Sequence, residues 1–312
     1  MIANIPRISV SIITFNQEKV IARAIESLLS QREYIYEICV SDDCSTDGTW
    51  DVVTDYSQKY PGLFKLNRNA INVGIFENIE KTWEMPTGDI LYRLAGDDEC
   101  GKDWFRSVVD FINLHKIPYR EELFCIYGDY EGIDPMGGIV IHKNEMVTSG
   151  CNMMSLSLRG IVGNRSACFS TNVLKKYFKV SQGRSHIAES AIDRQLQLFS
   201  EKSYYIPKVG NIYHTGIGVS TRITSNSLFE ERKQINPYMI KCFYPYNWEP
   251  SRADKRYMKY DDAFMDFLRD KTAGNAFRMF LRWVLSYDLR IGIKSLNIPF
   301  MLSHLKKVIH KS

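Results

Sequence analysis

From residue 8 to residue 114 the chain alternates short apolar runs with amphipathic ones, and nothing else in its 312 residues limits the fold as tightly. Residues 8–14, Ile-Ser-Val-Ser-Ile-Ile-Thr, form a β-branched run that predicts a buried strand. Residues 17–30 place Val20, Ile21, Ala24, Ile25, Leu28 and Leu29 at helical spacing. Strands are then predicted at 37–41, 64–67 and 90–95. Helices are predicted at 49–60, capped by Thr46 or Asp47, and at 77–84 and 102–114. Such alternation means βαβ units and a mostly parallel sheet flanked by helices. Ligands of these sheets sit beyond the carboxyl ends of the strands, where the strand order reverses. Three polar clusters fall at such ends: Phe15-Asn16, Asp42-Asp43 and Asp97-Asp98.

Farther on the pattern changes. A strand at 123–127 and a turn at Asp134-Pro135-Met136-Gly137-Gly138 predict an antiparallel excursion. Helices are read at 173–178 and 188–200. Beyond about residue 222 the alternation is lost, and 226–242 and 261–312 read as helical. The expected division is therefore residues 1–222 and a helical C-terminal extension, 223–312.

A hydrophobic content of 45% and a charged content of 24% are ordinary for a globular protein. No signal peptide and no membrane-spanning run of about 18 apolar residues is expected. Seven cysteines, Cys39, Cys44, Cys100, Cys125, Cys151, Cys168 and Cys242, include no Cys-x-x-Cys pair. Buried thiols in a reducing cytoplasm fit them better than a disulfide framework or a zinc site. The net charge is only +4 but is uneven. Residues 271–312 hold eight Lys and Arg against a single Asp288, a net +7.

Asp97-Asp98 is the sharpest chemical feature. Adjacent carboxylates at a strand end repel each other unless a cation sits beside them. A hard divalent ion, Mn²⁺ or Mg²⁺, takes one or two carboxylates and completes its shell with phosphate oxygens and water. Taken alone, such a pair also fits solvated loop acids or helix-terminal acids. In the second cluster, Asp43, Ser45, Asp47 and Gly48 mimic the opening of a calcium-binding EF-hand loop. The twelfth position would be Thr54 where a bidentate Glu is required, and the flanks are a strand and a helix, so calcium is rejected. A carboxylate here can accept a base N–H, or can serve a turn and a helix cap.

Together the runs Val10 to Asn16, Ser41 to Thr49, Asn72-Val73-Gly74 and Thr87 to Asp98 closely resemble family 2 glycosyltransferases of the GT-A fold. The resemblance covers roughly residues 8–222. It implies a GT-A, Rossmann-like α/β domain binding a nucleotide sugar. It places Thr14, Phe15, Asn16, Asn72 and Gly74 on the nucleotide, Asp42 on the base, Asp97 on the sugar or ribose, and Asp98 on the metal with Asp97 as its helper. Ala95 stands where the family often has the first acid of Asp-x-Asp-Asp. Residues 189–196, Glu-Ser-Ala-Ile-Asp-Arg-Gln-Leu, resemble the family's Glu-Asp stretch that carries the catalytic base. Asp193 is the preferred base and Glu189 the second choice, with Ile192 in place of the usual Glu. Tyr213 to Ser220 resembles a late Tyr-Arg-x-x-x-Ser segment with His214 in the Arg position, on the diphosphate or the metal or simply structural.

The implied activity is metal-dependent, inverting transfer of a hexosyl or N-acetylhexosaminyl group. The donor is a nucleoside-diphosphate sugar, UDP above all, and the acceptor is a hydroxyl of a glycan or lipid-linked molecule. The expected cofactor is Mn²⁺ or Mg²⁺. Phe277, Phe280, Leu281, Val284 and Leu285 form an apolar stripe beside Arg278 and Arg282. It reads either as an interfacial helix, with residues 271–312 against an anionic inner membrane face, or as a helical cap on the catalytic domain. No nucleic-acid partner is expected. A nucleotidyltransferase would usually carry a Gly-rich basic loop where Thr14-Phe15-Asn16-Gln17-Glu18 stands, and a dinucleotide oxidoreductase a Gly-x-Gly-x-x-Gly. A catalytically inactive sugar-nucleotide-binding scaffold is the non-enzyme alternative.

Overall fold

The computed structural model describes residues 5–148, 153–159, 161–176, 189–216, 237, 240, 248–270, 272–288, 296 and 298, with the side chains of 189–193 outside that description. The chain divides into two compact units. The first joins Met1–Cys151 to Gly163–Arg222; the second joins Asn152–Val162 to Ile223–Ser312.

The first unit is built on a nine-stranded sheet. β1 (Ile8–Thr14) lies between β2 (Ile35–Asp42) and β4 (Ile90–Ala95), and β3 (Phe64–Arg68) lies outside β2. These four strands are parallel, with Ile12 opposite Val40 on one side and Leu94 on the other. The order then continues through β8 (Cys168–Ser170), β6 (Phe124–Ile133), β9 (Lys202–His214) and β5 (Glu99–Cys100). β7 (Ile139–His142) pairs with β6 across the expected turn at 134–138. This half is mixed: β8 runs antiparallel to β4 and β6, while β6 and β9 are parallel.

The side-chain period of two sorts β1 onto two faces. Ile8, Val10 and Ile12 have no exposed surface and enter the main core. That core also holds Ile21, Ala24, Ile25 and Leu28 of α1 (Ile21–Leu29) and Trp104, Phe105, Val108 and Ile112 of α4 (Trp104–His115). Ser9, Ser11 and Ile13 face the opposite way, and Ser11 and Ile13 line a cavity with residues of α3 (Ile75–Trp83). α2 (Thr49–Lys59) follows β2. α6 (Glu189–Phe199) precedes β9.

Two boundaries differ from the periodicity for identifiable reasons. α1 starts at Ile21 instead of Gln17, after a turn in which Val20 N donates to the Gln17 carbonyl at 2.9 Å and Thr49 Oγ1 and Asp47 Oδ2 hold the N–H groups of Gln17 and Glu18 at 2.8 and 3.2 Å. α3 starts at Ile75 because Gly74, at φ 91°, turns the chain in a conformation that favours glycine.

In the second unit, α7 (Arg252–Arg269) begins at a capping box in which Ser251 and Asp254 bond each other's backbone. The long helical run read from 261 onward is broken at Asp270, which is extended, and restarts as α8 (Ala273–Leu285) under a Thr272 cap. α5 (Met153–Leu158) belongs to this unit. Arg159, just beyond it, has no exposed surface and meets Asp254 at 3.4 Å and Asp288 at 3.9 Å. The region 226–242, read as helical, lies almost wholly outside the described residues.

Candidate active site

The carboxyl ends of β1, β2 and β4 converge where the sheet order turns back, between β1 and β4. Three loops leave these ends. The first carries Thr14, Phe15 and Asn16. Thr14 is buried, and its hydroxyl donates to Gln17 Oε1 at 2.8 Å. Phe15 is 41% exposed. Asn16 sits at φ 52°, a left-handed conformation that Asn tolerates better than most residues. Its side-chain oxygen accepts from Thr46 N at 2.8 Å, and its own N–H donates to Ser45 Oγ at 2.9 Å. The β1 and β2 loops are thereby stitched together.

Asp42 has no exposed surface. Its carboxylate accepts from both the N–H and the hydroxyl of Ser45 and faces Arg68 Nε at 3.4 Å. The sequence singled out Asp42 for the base; here its oxygens fold the loop. Its neighbour Asp43 binds the Asn72 to Gly74 segment. Asp43 accepts from Val73 N, Gly74 N and Asn69 Nδ2 at 2.8, 2.9 and 2.9 Å, and its carbonyl accepts from Asn72 Nδ2. Asn72 and Gly74 are thus gathered at the same end of the sheet as Thr14 and Asn16.

The third loop is Gly96-Asp97-Asp98. Gly96 packs so closely on Gln17 and Thr14 that a Cβ there would overlap the Gln17 side chain. Asp97 is 6% exposed, and its carbonyl accepts from Arg23 Nη2 at 2.9 Å. Among the described residues its carboxylate makes no hydrogen bond or ion pair. A buried carboxylate left in that state needs an explanation, and a cation is the simplest. Asp98 is 3% exposed. It meets Arg165 Nη1 at 3.3 Å and accepts from His214 N at 3.4 Å. Two carboxylates of this kind suit a hard divalent ion that draws its remaining ligands from a diphosphate and water. Among the described residues no group of three or more His, Cys, Asp or Glu side chains is placed so that it could hold a metal ion by itself.

His214 ends β9 and comes to Asp98 through its backbone. Its imidazole Nε2 lies 2.6 Å from Glu99 Oε1, and Glu99 also meets Arg23 Nε at 3.2 Å. Beside these loops lies a cavity of about 270 Å³, lined among others by Ser11, Trp83, Arg93, Asp98, Arg165 and Asn211. Asn211 is 1% exposed, and its Oδ1 has no hydrogen-bond partner among the described residues. Glu189 and Asp193 both lie on α6, but their side chains are outside the described residues. The described cysteines Cys39, Cys44, Cys100, Cys125 and Cys168 are free thiols. Burial pushes Cys39 and Cys100 up to about 12, which leaves them unreactive.

Sequence reasoning passed over Asp43, Glu99 and Arg165. Asp43 shares its motif with Asp42, and the motif alone does not say which of the two carboxylates binds the 72–74 segment. Arg165 meets Asp98 across 67 residues, a distance at which no local pattern operates.

Residues 9–117 match the glycosyl transferase family 2 model. EpsE of Bacillus subtilis is 32% identical over 111 residues, which are 36% of this chain and 40% of EpsE. The abequosyltransferase RfbV of Salmonella typhimurium is 30% identical over 123 residues, 38% of this chain and 37% of RfbV. The chain thus spans about 40% of the length of these curated relatives. The crystal structure of S. aureus TarS 1–349 in complex with UDP-GlcNAc is similar at a TM-score of 0.61 and 15% identity, covering 93% of this chain and 81% of TarS 1–349. The first unit has the GT-A fold, and the chain carries a glycosyl transferase family 2 domain.

Proposed function

We propose that the protein transfers a sugar from a nucleoside-diphosphate donor, UDP above all, to a hydroxyl of a glycan or lipid-linked acceptor, with inversion and with help from a divalent cation. The observation that carries this reading is the buried carboxylate of Asp97. It has no partner among the described residues, and it stands at the end of β4 beside Asp98 in a family 2 domain. The donor complex of TarS supports a nucleotide sugar as ligand.

The roles follow from the chemistry. The stitched loops of Asn16, Ser45 and Asp43 present Phe15, Asn72 and Gly74 to a nucleotide as one rigid rim. Preorganised positioning of this kind supplies much of the barrier reduction in a two-substrate reaction. Asp97 and Asp98 would hold Mn²⁺ or Mg²⁺, which when bound offsets the charge growing on the leaving diphosphate. His214, its ring turned to Glu99, fixes the wall of the site and is a weaker candidate ligand than either Asp. α6 supplies the acceptor base, Asp193 in preference to Glu189, and a positioned carboxylate contributes roughly 10²–10⁴-fold. One displacement at the anomeric carbon inverts it.

For the acceptor side, α8 turns Phe277, Phe280, Leu281, Val284 and Leu285 outward, each at least 45% exposed, beside Arg278 and Arg282. With the +7 charge of 271–312 this face suits an anionic membrane surface that presents a lipid-linked acceptor. Among the described residues no helix is long and apolar enough to cross a membrane. Thermal-shift screening against nucleotide sugars, with Mn²⁺ and with EDTA, tests the donor reading. Stabilisation by a UDP-sugar that requires Mn²⁺ supports it; no response to any nucleotide sugar contradicts it.

A further inference from the structure

Asp98 already has a cation. Arg165 Nη1 lies 3.3 Å from its Oδ2, and the carboxylate side chain is only 4% exposed against 39% for the arginine. The guanidinium carbon is 3.5 Å from the centre of the Tyr213 ring, a cation–π platform on β9. The backbone around Arg165 is pinned. Gly163 N donates to Asn144 Oδ1, and Asn144 Nδ2 returns a bond to the Gly163 carbonyl, both at 3.0 Å. Asn164 Oδ1 accepts from Gln197 Nε2 at 2.6 Å, and the Ser166 hydroxyl donates to the Gly128 carbonyl at 2.5 Å. The loop is thus fixed by its neighbours, and any change of partner at Arg165 falls to the arginine's own long stem.

Arginine keeps its charge under all ordinary conditions, so it cannot share the same carboxylate oxygen with a divalent ion without strong repulsion. Something must draw it away. A diphosphate does this well, because the planar guanidinium fork matches phosphate oxygens bidentately. We propose that Arg165 holds the place of the divalent cation at Asp98 in the nucleotide-free protein and moves to the donor diphosphate when cation and nucleotide arrive together. This makes Arg165 a donor-positioning residue and couples the two binding events, so that neither ligand binds well without the other. It also accounts for the asymmetry of the acid pair: Asp98 is neutralised in advance, while the carboxylate of Asp97 is not paired by any described residue. The inference rests on the metal and donor reading above.

The test is Mn²⁺ binding to the full chain, by calorimetry or electron paramagnetic resonance, with and without UDP. Wild type, Arg165→Gln and Arg165→Lys are compared. In wild type, UDP should tighten Mn²⁺ at least about tenfold, within the usual range of coupling between two sites. Arg165→Gln should bind Mn²⁺ about tenfold more tightly without UDP, should lose most of that coupling, and should bind UDP more weakly than wild type in saturating Mn²⁺. Arg165→Lys keeps the charge and should keep the weak nucleotide-free affinity. Unchanged nucleotide-free affinity in Arg165→Gln, or an equal gain in Arg165→Lys, overturns the place-holder. Absence of Mn²⁺ binding in all three proteins with UDP present overturns the metal reading and the place-holder with it. Mn²⁺ binding that depends on UDP but is indifferent to Arg165 overturns only the place-holder.

Discussion

Asp43 accepts the backbone N–H of Gly74 at 2.9 Å, and this bond ties the end of β2 to the start of α3. Val73 N and Asn69 Nδ2 converge on the same carboxylate, which is 3% exposed. Asp43→Ala leaves three donors without their acceptor. At roughly 1–3 kcal/mol for each buried donor, partly recovered by water, a loss of about 3 kcal/mol is expected. Denaturant unfolding measures it. UDP affinity should fall in the same variant, because Asn72 and Gly74 lose their anchor.

The buried charge triad of the second unit gives a test independent of catalysis. Arg159, wholly enclosed, is compensated by Asp254 and Asp288, and its Nη1 donates to the Ser286 carbonyl at 2.9 Å. Removing one partner of such a group typically costs about 3–5 kcal/mol, because the remaining charges stay buried. Arg159→Ala should unfold the second unit at much lower denaturant. Arg159→Ala with Asp254→Asn should recover part of the loss.

Much of this was legible in advance, and the exceptions have physical causes. β1 and β4 carry long β-branched or apolar runs, so Ile8–Thr14 and Ile90–Ala95 appear with the expected bounds. β9 escaped because Pro207 and Gly210 interrupt it, and both residues count against a strand. Gly210 is there because the Trp104 ring lies where its Cβ would be. The three polar clusters were found because strand ends in a parallel sheet are where ligands bind. The division of labour inside them was not found. Asp42 against Ser45, Asp43 against Gly74 and Asp98 against Arg165 are choices between neighbouring carboxylates, and they depend on which way each side chain leaves the strand.

Acid should unfold the first unit through two carboxylates outside the site. Burial acts to raise Glu37, but hydrogen bonds from Lys65, Ser9 and Thr87 outweigh it and hold the group below its ordinary 4.5. Asp89 is likewise raised by burial and lowered more by Arg7 and Arg120, ending below 3.8. A depressed carboxyl binds its proton less tightly folded than unfolded. Its contribution is therefore complete above the ordinary carboxyl range and is lost as pH falls through the folded value. Melting temperature should be flat from pH 7 to about pH 5 and should decline below that, since carboxylates of this kind drive acid unfolding. Glu37→Gln should decline less steeply than wild type.

The outward face of α8 should govern membrane contact. Phe277→Asp with Phe280→Asp removes two of the largest exposed apolar groups while sparing Met279, the buried residue of that helix. Flotation with vesicles rich in anionic lipid should fall by at least about tenfold, the loss expected for about 1.4 kcal/mol or more of apolar burial. Neutral vesicles should bind neither protein well. Equal flotation of wild type and variant on anionic vesicles contradicts the membrane role of this helix.

Donor turnover reaches the central proposal most directly. Release of nucleoside diphosphate from a panel of nucleotide sugars should be measured for wild type and Asp97→Asn, in Mn²⁺ and in EDTA. The expected result is release from at least one UDP-sugar by wild type in Mn²⁺, lost in EDTA and lost in Asp97→Asn with the fold intact. Release that persists undiminished in EDTA and in Asp97→Asn, or no release from any donor, would contradict a cation-assisted sugar transfer at the end of β4.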